Sequence, residues 1–319
     1  TEWIESMNSV MDDNKILTLA NNDRIPLKSC MKLIFEITHL KYATPATVSR
    51  AGILYISEKE IGWQPYVNSW IDKRPKIERG YMPILFERYI AETIKFIRKE
   101  LKQVITLSDF HMVQMLCHIL EGLLTEEKPE KEIYEVYFVF ACIWAFGGAL
   151  GMKEKLNCKQ MFDKWWRTAW KTVKFPEGAT VFDFYINPQT HKFERWKDKL
   201  TEFKLPEDVP LGSVLVPTEE TVCIQYFMDM LAANRKPVML VGNAGCGKTR
   251  LVQQKLAALD ENQTASATIN FNYYTDAKTL QRVLESYLEK KGGKRFGPQG
   301  NKHMIYFIDD LNMPAVDKY

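Results

Sequence analysis

VMLVGNAGCGKTRLVQQKLAAL, residues 238–259, is the stretch that decides how this chain is read. Four apolar residues, Val238 to Val241, run into Gly242-Asn243-Ala244-Gly245-Cys246-Gly247-Lys248-Thr249, and a helical pattern begins near Lys248. The middle of the stretch fits G-x-x-x-x-G-K-[ST]. In such a loop the glycines let successive backbone N–H groups turn inward around phosphate oxygens, and the next helix adds its positive N-terminal end. Lys248 has the reach for β- and γ-phosphates, Thr249 offers a hydroxyl to Mg²⁺, and Asn243, Ala244, Gly245, Cys246 and Arg250 complete the cradle. A chance match in a chain this long is on the order of one in a hundred. The apolar run before the loop and the helix after it weaken further the competing reading, a glycine turn with a stray lysine.

Working outward, the segment Met304–Ile308 is apolar and ends in Asp309-Asp310. Alone, a strand ending in two aspartates is a strand end meeting solvent. Combined with the loop at residue 242, it becomes the second half of a nucleotide site, because ligands of open α/β sheets collect at the carboxyl ends of the strands. Asp309 is placed to hold Mg²⁺, and Asp310 to polarise an attacking water. Between the two halves the pattern predicts a strand at Ala267–Phe271, a helix at Ala277–Lys290 and a hairpin in GGKRFGPQGNK, with a helix at Glu219–Ala233 ahead of the loop. The fold class is α/β, a parallel sheet with flanking helices. A guanine-specific N-K-x-D is absent, since Asn301-Lys302-His303-Met304 lacks the aspartate, so ATP is the expected nucleotide.

Upstream the character changes. Residues 1–60 read as mixed: helical spacing from Trp3 to Met11, a hairpin turning at Asn21-Asn22-Asp23, a buried strand at Lys32–Leu40, a turn-rich ATPATVSRAG, and a strand at Ile53–Tyr55. From residue 61 helices take over, with Ile84–Ile105 amphipathic, Phe110–Leu124 nearly all apolar, and a charged loop at Glu126–Lys131. Val136 to Met152 carries no charge, but it is short of the ~20 apolar residues of a membrane span and is interrupted by Gly147-Gly148, so a buried helix ending at the glycines is expected. These three helices make a small bundle. Trp166 and Trp170 stand one helical turn apart, as core packing requires, and Thr180–Trp196 reads as an exposed hairpin turning at Asn187-Pro188.

Composition closes off other classes. The 319 residues carry 43 basic and 40 acidic side chains, a net charge of +3, which gives no push toward nucleic acid. Six cysteines without a C-x-x-C pair, and dispersed histidines, argue against a zinc cluster or a disulfide framework and fit a reducing compartment. No partner membrane is expected.

TEWIESMNSVMDDNKILTLANNDRIPL, YATPATVSRAGILYIS, IWAFGGAL, VPTEETV, VGNAGCGKT and FIDDLNMPAVDKY together resemble dynein heavy chains, in order and along essentially the whole chain. IDDLNMP and the wording around GNAGCGKT point to the axonemal ones. The resemblance implies an AAA+ motor ring, of which this chain holds two partial modules. Residues 1–64 would be the rear of the large α/β subdomain of the second module and 65–152 its helical small subdomain. Residues 153–212 would connect to the third module, whose P-loop core would be 213–319. The second module's own P-loop, the lever-like linker and the microtubule-binding stalk would lie outside the chain. By the same resemblance Gly242, Gly247, Lys248, Thr249 and Asp309 match the family's ATP site, and Val216-Pro217-Thr218 the loop packing near adenine. Arg50 looks like the arginine finger given to the neighbouring module's ATP. The implied cofactors are ATP or ADP with Mg²⁺. The implied partners are neighbouring AAA+ modules of the same heavy chain, microtubules through other parts of it, and dynein intermediate and light chains, in the axoneme of a cilium or flagellum.

Two departures bear on chemistry. Asp310 stands where many AAA+ enzymes have Glu, one methylene longer, so a slow, regulatory site is expected. Cys246 lies at a helix N-terminus, where thiol pKa values fall; a small spacer and a redox-sensitive thiol are both compatible with that position. The competing functions are a nucleotide-locked structural module without turnover and an unrelated AAA+ remodelling ATPase.

Overall fold

The computed structural model describes residues 2–41, 43–126, 130–203 and 214–316, which fall into two compact units, one reaching from the N-terminus to Glu60 and one spanning Ile61–Ala315. The expected loop around Pro129 and the stretch 204–213 lie outside the described residues.

The first unit opens with a 3-10 turn, Glu2–Met7, that runs into α1 (Asn8–Met11). The hairpin β1 (Ile16–Thr18) and β2 (Arg24–Pro26) turns where the Asn/Asp cluster put it, with Asn22 at φ +65°. ATPATVSRAG holds a helix, α2 (Pro45–Arg50), where a turn-rich stretch was expected. Thr44 caps it by accepting the Thr47 N–H, and Pro45 at the first position needs no donor there. The strands expected at Lys32–Leu40 and Ile53–Tyr55 are not formed, and Ile34 and Leu54 are 93% and 83% exposed. A strand's hydrogen bonds come from a neighbour, and no described strand pairs with either run. The short helix α3 (Glu58–Ile61) follows.

The second unit is built on helices α4 (Gln64–Asp72), α5 (Lys76–Glu100), α6 (Asp109–Leu123) and α7 (Lys131–Gly147). α5 begins eight residues, just over two turns, before the expected Ile84 and ends at Glu100 instead of Ile105. α6 starts under a Ser108 cap that accepts the His111 N–H at 3.2 Å. α7 ends at Gly147, and it is buried on nearly every side, which is why it carries no charge from Val136 onward. Among the described residues no helix is long and apolar enough to cross a membrane.

After a tight pairing of β3 (Met152–Lys153) with β4 (Leu156–Asn157), α8 (Cys158–Ala169) and the hairpin of β5 (Phe184–Ile186) with β6 (Phe193–Arg195) join the same core. Trp166 stacks on Tyr89 of α5 with ring centres 6.0 Å apart, and Trp196 donates its indole N–H to Phe182 O at 3.0 Å. The hairpin was expected to be exposed. Instead all three β5 residues are buried, because both faces of this strand meet aromatic side chains.

The remainder is the phosphate-loop region. α9 (Glu219–Ala233) occupies the expected residues. The loop then leads into α10 (Lys248–Ala257), β7 (Thr264–Asn270), α11 (Ala277–Ser286), the hairpin β8 (Glu289–Gly292) with β9 (Arg295–Gly297), and β10 (His303–Asp309). α11 stops four residues before the expected Lys290, where the β8 strand takes over the backbone. β7 and β10 pair in parallel, Thr264 opposite His303 through Asn270 opposite Asp309. The run Pro237–Val241 carries no ladder, so the strand expected before the loop is not formed; Met239 is 63% exposed.

Candidate nucleotide site

Gly245 and Gly247 adopt φ +77° and +84°, the left-handed region that a side chain resists, and they set the curl of the loop. A Cβ on Gly242 would stand 3.2 Å from Cys246 Sγ, so that glycine is needed for closeness rather than for its dihedral. Gly247 is also the residue that launches α10, whose first turn therefore points its unpaired N–H groups into the loop.

Lys248 folds back over the loop. Its ammonium donates to Gly242 O at 2.9 Å and Asn243 O at 2.7 Å, and Cys246 Sγ lies 3.6 Å away. Cys246 is exposed and donates its thiol to Asn243 O at 3.0 Å, so it closes the loop as well as spacing it. Ala244 lies in the turn between them. Arg250, in the first turn of α10, reaches Gln253 Oε1 at 3.3 Å and is exposed.

The two halves of the motif meet at one hydrogen bond. Thr249 Oγ1, at the start of α10, donates to Asp309 Oδ2, at the end of β10, at 3.0 Å. The other carboxylate oxygen accepts the Asp310 N–H at 3.0 Å. Parallel pairing fixes this end of β10, because the Asp309 carbonyl accepts the Phe271 N–H at 3.0 Å. A hydroxyl and a carboxylate so close are hard oxygen donors of the kind Mg²⁺ takes, one or two per site with water and phosphate supplying the rest. These residues therefore fit the cation. Among the described residues no cluster of three His, Cys, Asp or Glu offers a different metal site.

Asp310 itself leaves the strand with φ +55° and accepts the Met313 N–H on its carbonyl at 2.9 Å. A non-glycine residue held in this region marks a backbone fixed by its surroundings. Val216-Pro217-Thr218 leads into α9, and Thr218 is spent on capping: it accepts the Thr221 N–H at 3.2 Å, while its own N–H donates to Thr221 Oγ1 at 2.8 Å. Arg50 belongs to the other unit, at the last turn of α2, with its Nη1 on Ala46 O at 2.8 Å and its Nε on Asp12 Oδ1.

Two ion pairs near the site have no signature in local sequence spacing. Lys255 of α10 pairs with Asp229 of α9 at 2.6 Å, and Lys236, just after α9, pairs with Glu121 of α6 at 2.7 Å. Glu121 also accepts the Trp70 indole N–H at 2.9 Å. Burial pushes the Glu121 carboxyl up, but the hydrogen bonds from Lys236 and Trp70 outweigh it and hold the group below its ordinary value. α9 is thereby tied at one side to the helix of the phosphate loop and at the other to the helical bundle.

Residues 203–319 match the family described as the P-loop containing dynein motor region, and residues 82–198 match the dynein heavy chain AAA lid domain. Over 322 aligned residues the sequence is 54% identical to dynein axonemal heavy chain 9 of Homo sapiens, an alignment covering 99% of this chain and 7% of that protein. The chain belongs to the dynein heavy-chain family. This dynein sequence is also 52% identical to the ciliary dynein beta chain of Heliocidaris crassispina, over 99% of its length and 7% of the relative. To the flagellar outer arm beta chain of Chlamydomonas reinhardtii it is 44% identical, over 100% of its length and again 7% of the relative. The chain thus spans about a fourteenth of the length of these relatives. Their ciliary, flagellar and axonemal names put this dynein sequence in the axonemal cytoskeleton. The AAA+ fold class expected from the sequence is the one the family carries, and the parallel β7–β10 pair is consistent with it.

Proposed function

We propose that the Lys248 loop binds ATP with Mg²⁺ within the motor ring of an axonemal dynein heavy chain, and that this site regulates the cycle that moves the motor toward microtubule minus ends. The observation that carries this reading is the Thr249–Asp309 hydrogen bond, which unites the loop and the strand end in one oxygen-rich corner. Thr249 and Asp309 would hold Mg²⁺, which would supply positive charge to offset that of the phosphates. The chain's own residues do the rest. Backbone N–H groups of Gly245 to Thr249 hold phosphate, Thr249 and Asp309 orient the cation, and Lys248 exchanges its two loop carbonyls for phosphate oxygens. Asn243, Ala244, Cys246 and Arg250 shape the cradle, and Val216, Pro217 and Thr218 flank the base.

In this reading Asp310 orients the attacking water, and its short side chain and fixed backbone make the step slow. A second reading, a structural nucleotide that is never hydrolysed, is favoured by the same two features of Asp310. Arg50 is the finger for the preceding module's nucleotide. Residues 1–64 and 65–152 belong to the second module, 153–212 enter the third, and 213–319 form its nucleotide core. Partners are the neighbouring modules, microtubules through other parts of the chain, and intermediate and light chains.

The test is nucleotide identity at Lys248 in the intact heavy chain after incubation with Mg·ATP. ADP supports slow turnover, retained ATP supports the structural reading, and an empty loop overturns both.

A further inference from the structure

In the N-terminal unit, α1 and α2 are joined by two polar rungs. Asn8 and Asp12 lie four residues apart, on one face at the end of α1. Opposite them, Thr47 donates its hydroxyl to Asn8 Oδ1 at 3.0 Å, and Arg50 donates Nε–H to Asp12 Oδ1. Thr47 is 4% exposed, so the first rung anchors the contact in the interior. The second rung stands on a fixed base, because the Asp12 N–H donates to Asn8 O at 2.9 Å and its carbonyl accepts the Lys15 N–H at 3.0 Å.

We propose that Asp12 is the positioning residue for Arg50, a proposal that rests on the reading of Arg50 as the finger for the neighbouring module's phosphate. A guanidinium is a planar fork with five N–H donors. Here Nε is fixed by Asp12, and Nη1 by Ala46 O one turn back on α2. Two acceptors on two different elements set both the tilt and the rotation of the plane. The donor capacity that remains faces an anion without a rotamer search, which is the condition under which positioned charge accelerates phosphoryl transfer. Holding α2 in place does not require this pair, since Thr44 caps the helix and Thr47 ties it to α1. A lysine at position 50 would lack the second edge. The Arg–Asp pair is one-third exposed on each side, so its contribution to stability is small and its use is orientation.

The test uses the full heavy chain carrying R50A, D12A, D12N, D12E or D12A/R50A, with steady-state Mg·ATP turnover resolved into kcat and KM, and thermal melting alongside. R50A is expected to lower kcat at least about a hundredfold, and D12A or D12N about tenfold with KM within about twofold. D12E is expected to recover most of the loss. D12A/R50A is expected to match R50A alone, since Asp12 acts only through Arg50. Turnover unchanged or raised in D12A overturns the proposal, as does a double variant falling below R50A. If R50A itself turns over normally, the finger reading fails first; if R50A fails and D12A does not, only the role of Asp12 is lost.

Discussion

Asp310 occupies φ +55° at the end of β10, with a carboxylate one methylene shorter than glutamate. Lengthening the side chain in D310E should raise the rate of ADP formation at the Lys248 site, measured by single-turnover hydrolysis with turnover at other sites blocked; an unchanged rate would remove reach as the limit. Gly247, at φ +84°, gives a second prediction. G247A forces a Cβ into the left-handed region, which costs about 1–2 kcal/mol, and it turns the first N–H groups of α10 away from the phosphate. Nucleotide affinity at this site should fall at least about tenfold while the helical bundle melts normally. The left-handed loop glycines and the meeting of Thr249 with Asp309 were legible from the sequence, because a phosphate-loop motif imposes fixed spacing on the backbone. Asp12, Asp229 and Lys255 were not. Their partners lie far along the chain or on a different helix, and an ion pair across elements leaves no periodic trace.

At the scale of elements, what was legible divides by where the hydrogen bonds go. Helices satisfy their own backbone, so α6 and α9 appear within a residue of where apolar spacing puts them, and α7 ends at the expected glycines although it begins five residues before Val136. Strands depend on a neighbour, so the apolar runs at 32–40, 53–55 and 237–241 read as strands yet carry no ladder. The junction of α6 with α9 yields a pH prediction. Burial, then Lys236, hold the His118 imidazole below its ordinary 6.5, with Glu121 acting against them. The folded state thus favours neutral His118, and the unfolded chain takes up the proton first. Stability should be lost as pH falls from about 6.5 through the lower folded value, and H118N should flatten that part of a melting-temperature profile. Glu121, held low, adds its own loss only at more acid pH, as the folded carboxyl titrates. Within the core, W166A should cost about 3–5 kcal/mol in chemical denaturation, whereas W166F should cost less, because it keeps an aromatic against Tyr89 and Phe162.

Across the whole molecule, the lid helices, α8 and the β5–β6 hairpin form one aromatic core, and α9 joins it through Phe227 against Phe140 and Trp144. The phosphate loop is therefore braced by a helix whose other face belongs to the bundle. The arrangement was hidden from sequence because its parts, residues 134–146, 158–170, 181–196 and 222–230, are separated by loops of unlike composition. Filling the Lys248 site should stabilise this unit by mass action, about 2.7 kcal/mol at a hundredfold excess over Kd, and K248A should abolish the shift.

Seven of the eight tryptophans lie between Trp63 and Trp196, and none follows Trp196. Trp144 and Trp196 sit against Phe227 of α9, the near edge of the phosphate-loop region, while that region beyond the helix is silent in indole emission. Intrinsic fluorescence of this segment is thus a one-sided optical probe. A change in the emission of Trp63 to Trp196 on adding nucleotide reports what reaches the bundle through α9 and through the Lys236–Glu121–Trp70 link, not an event at the loop itself.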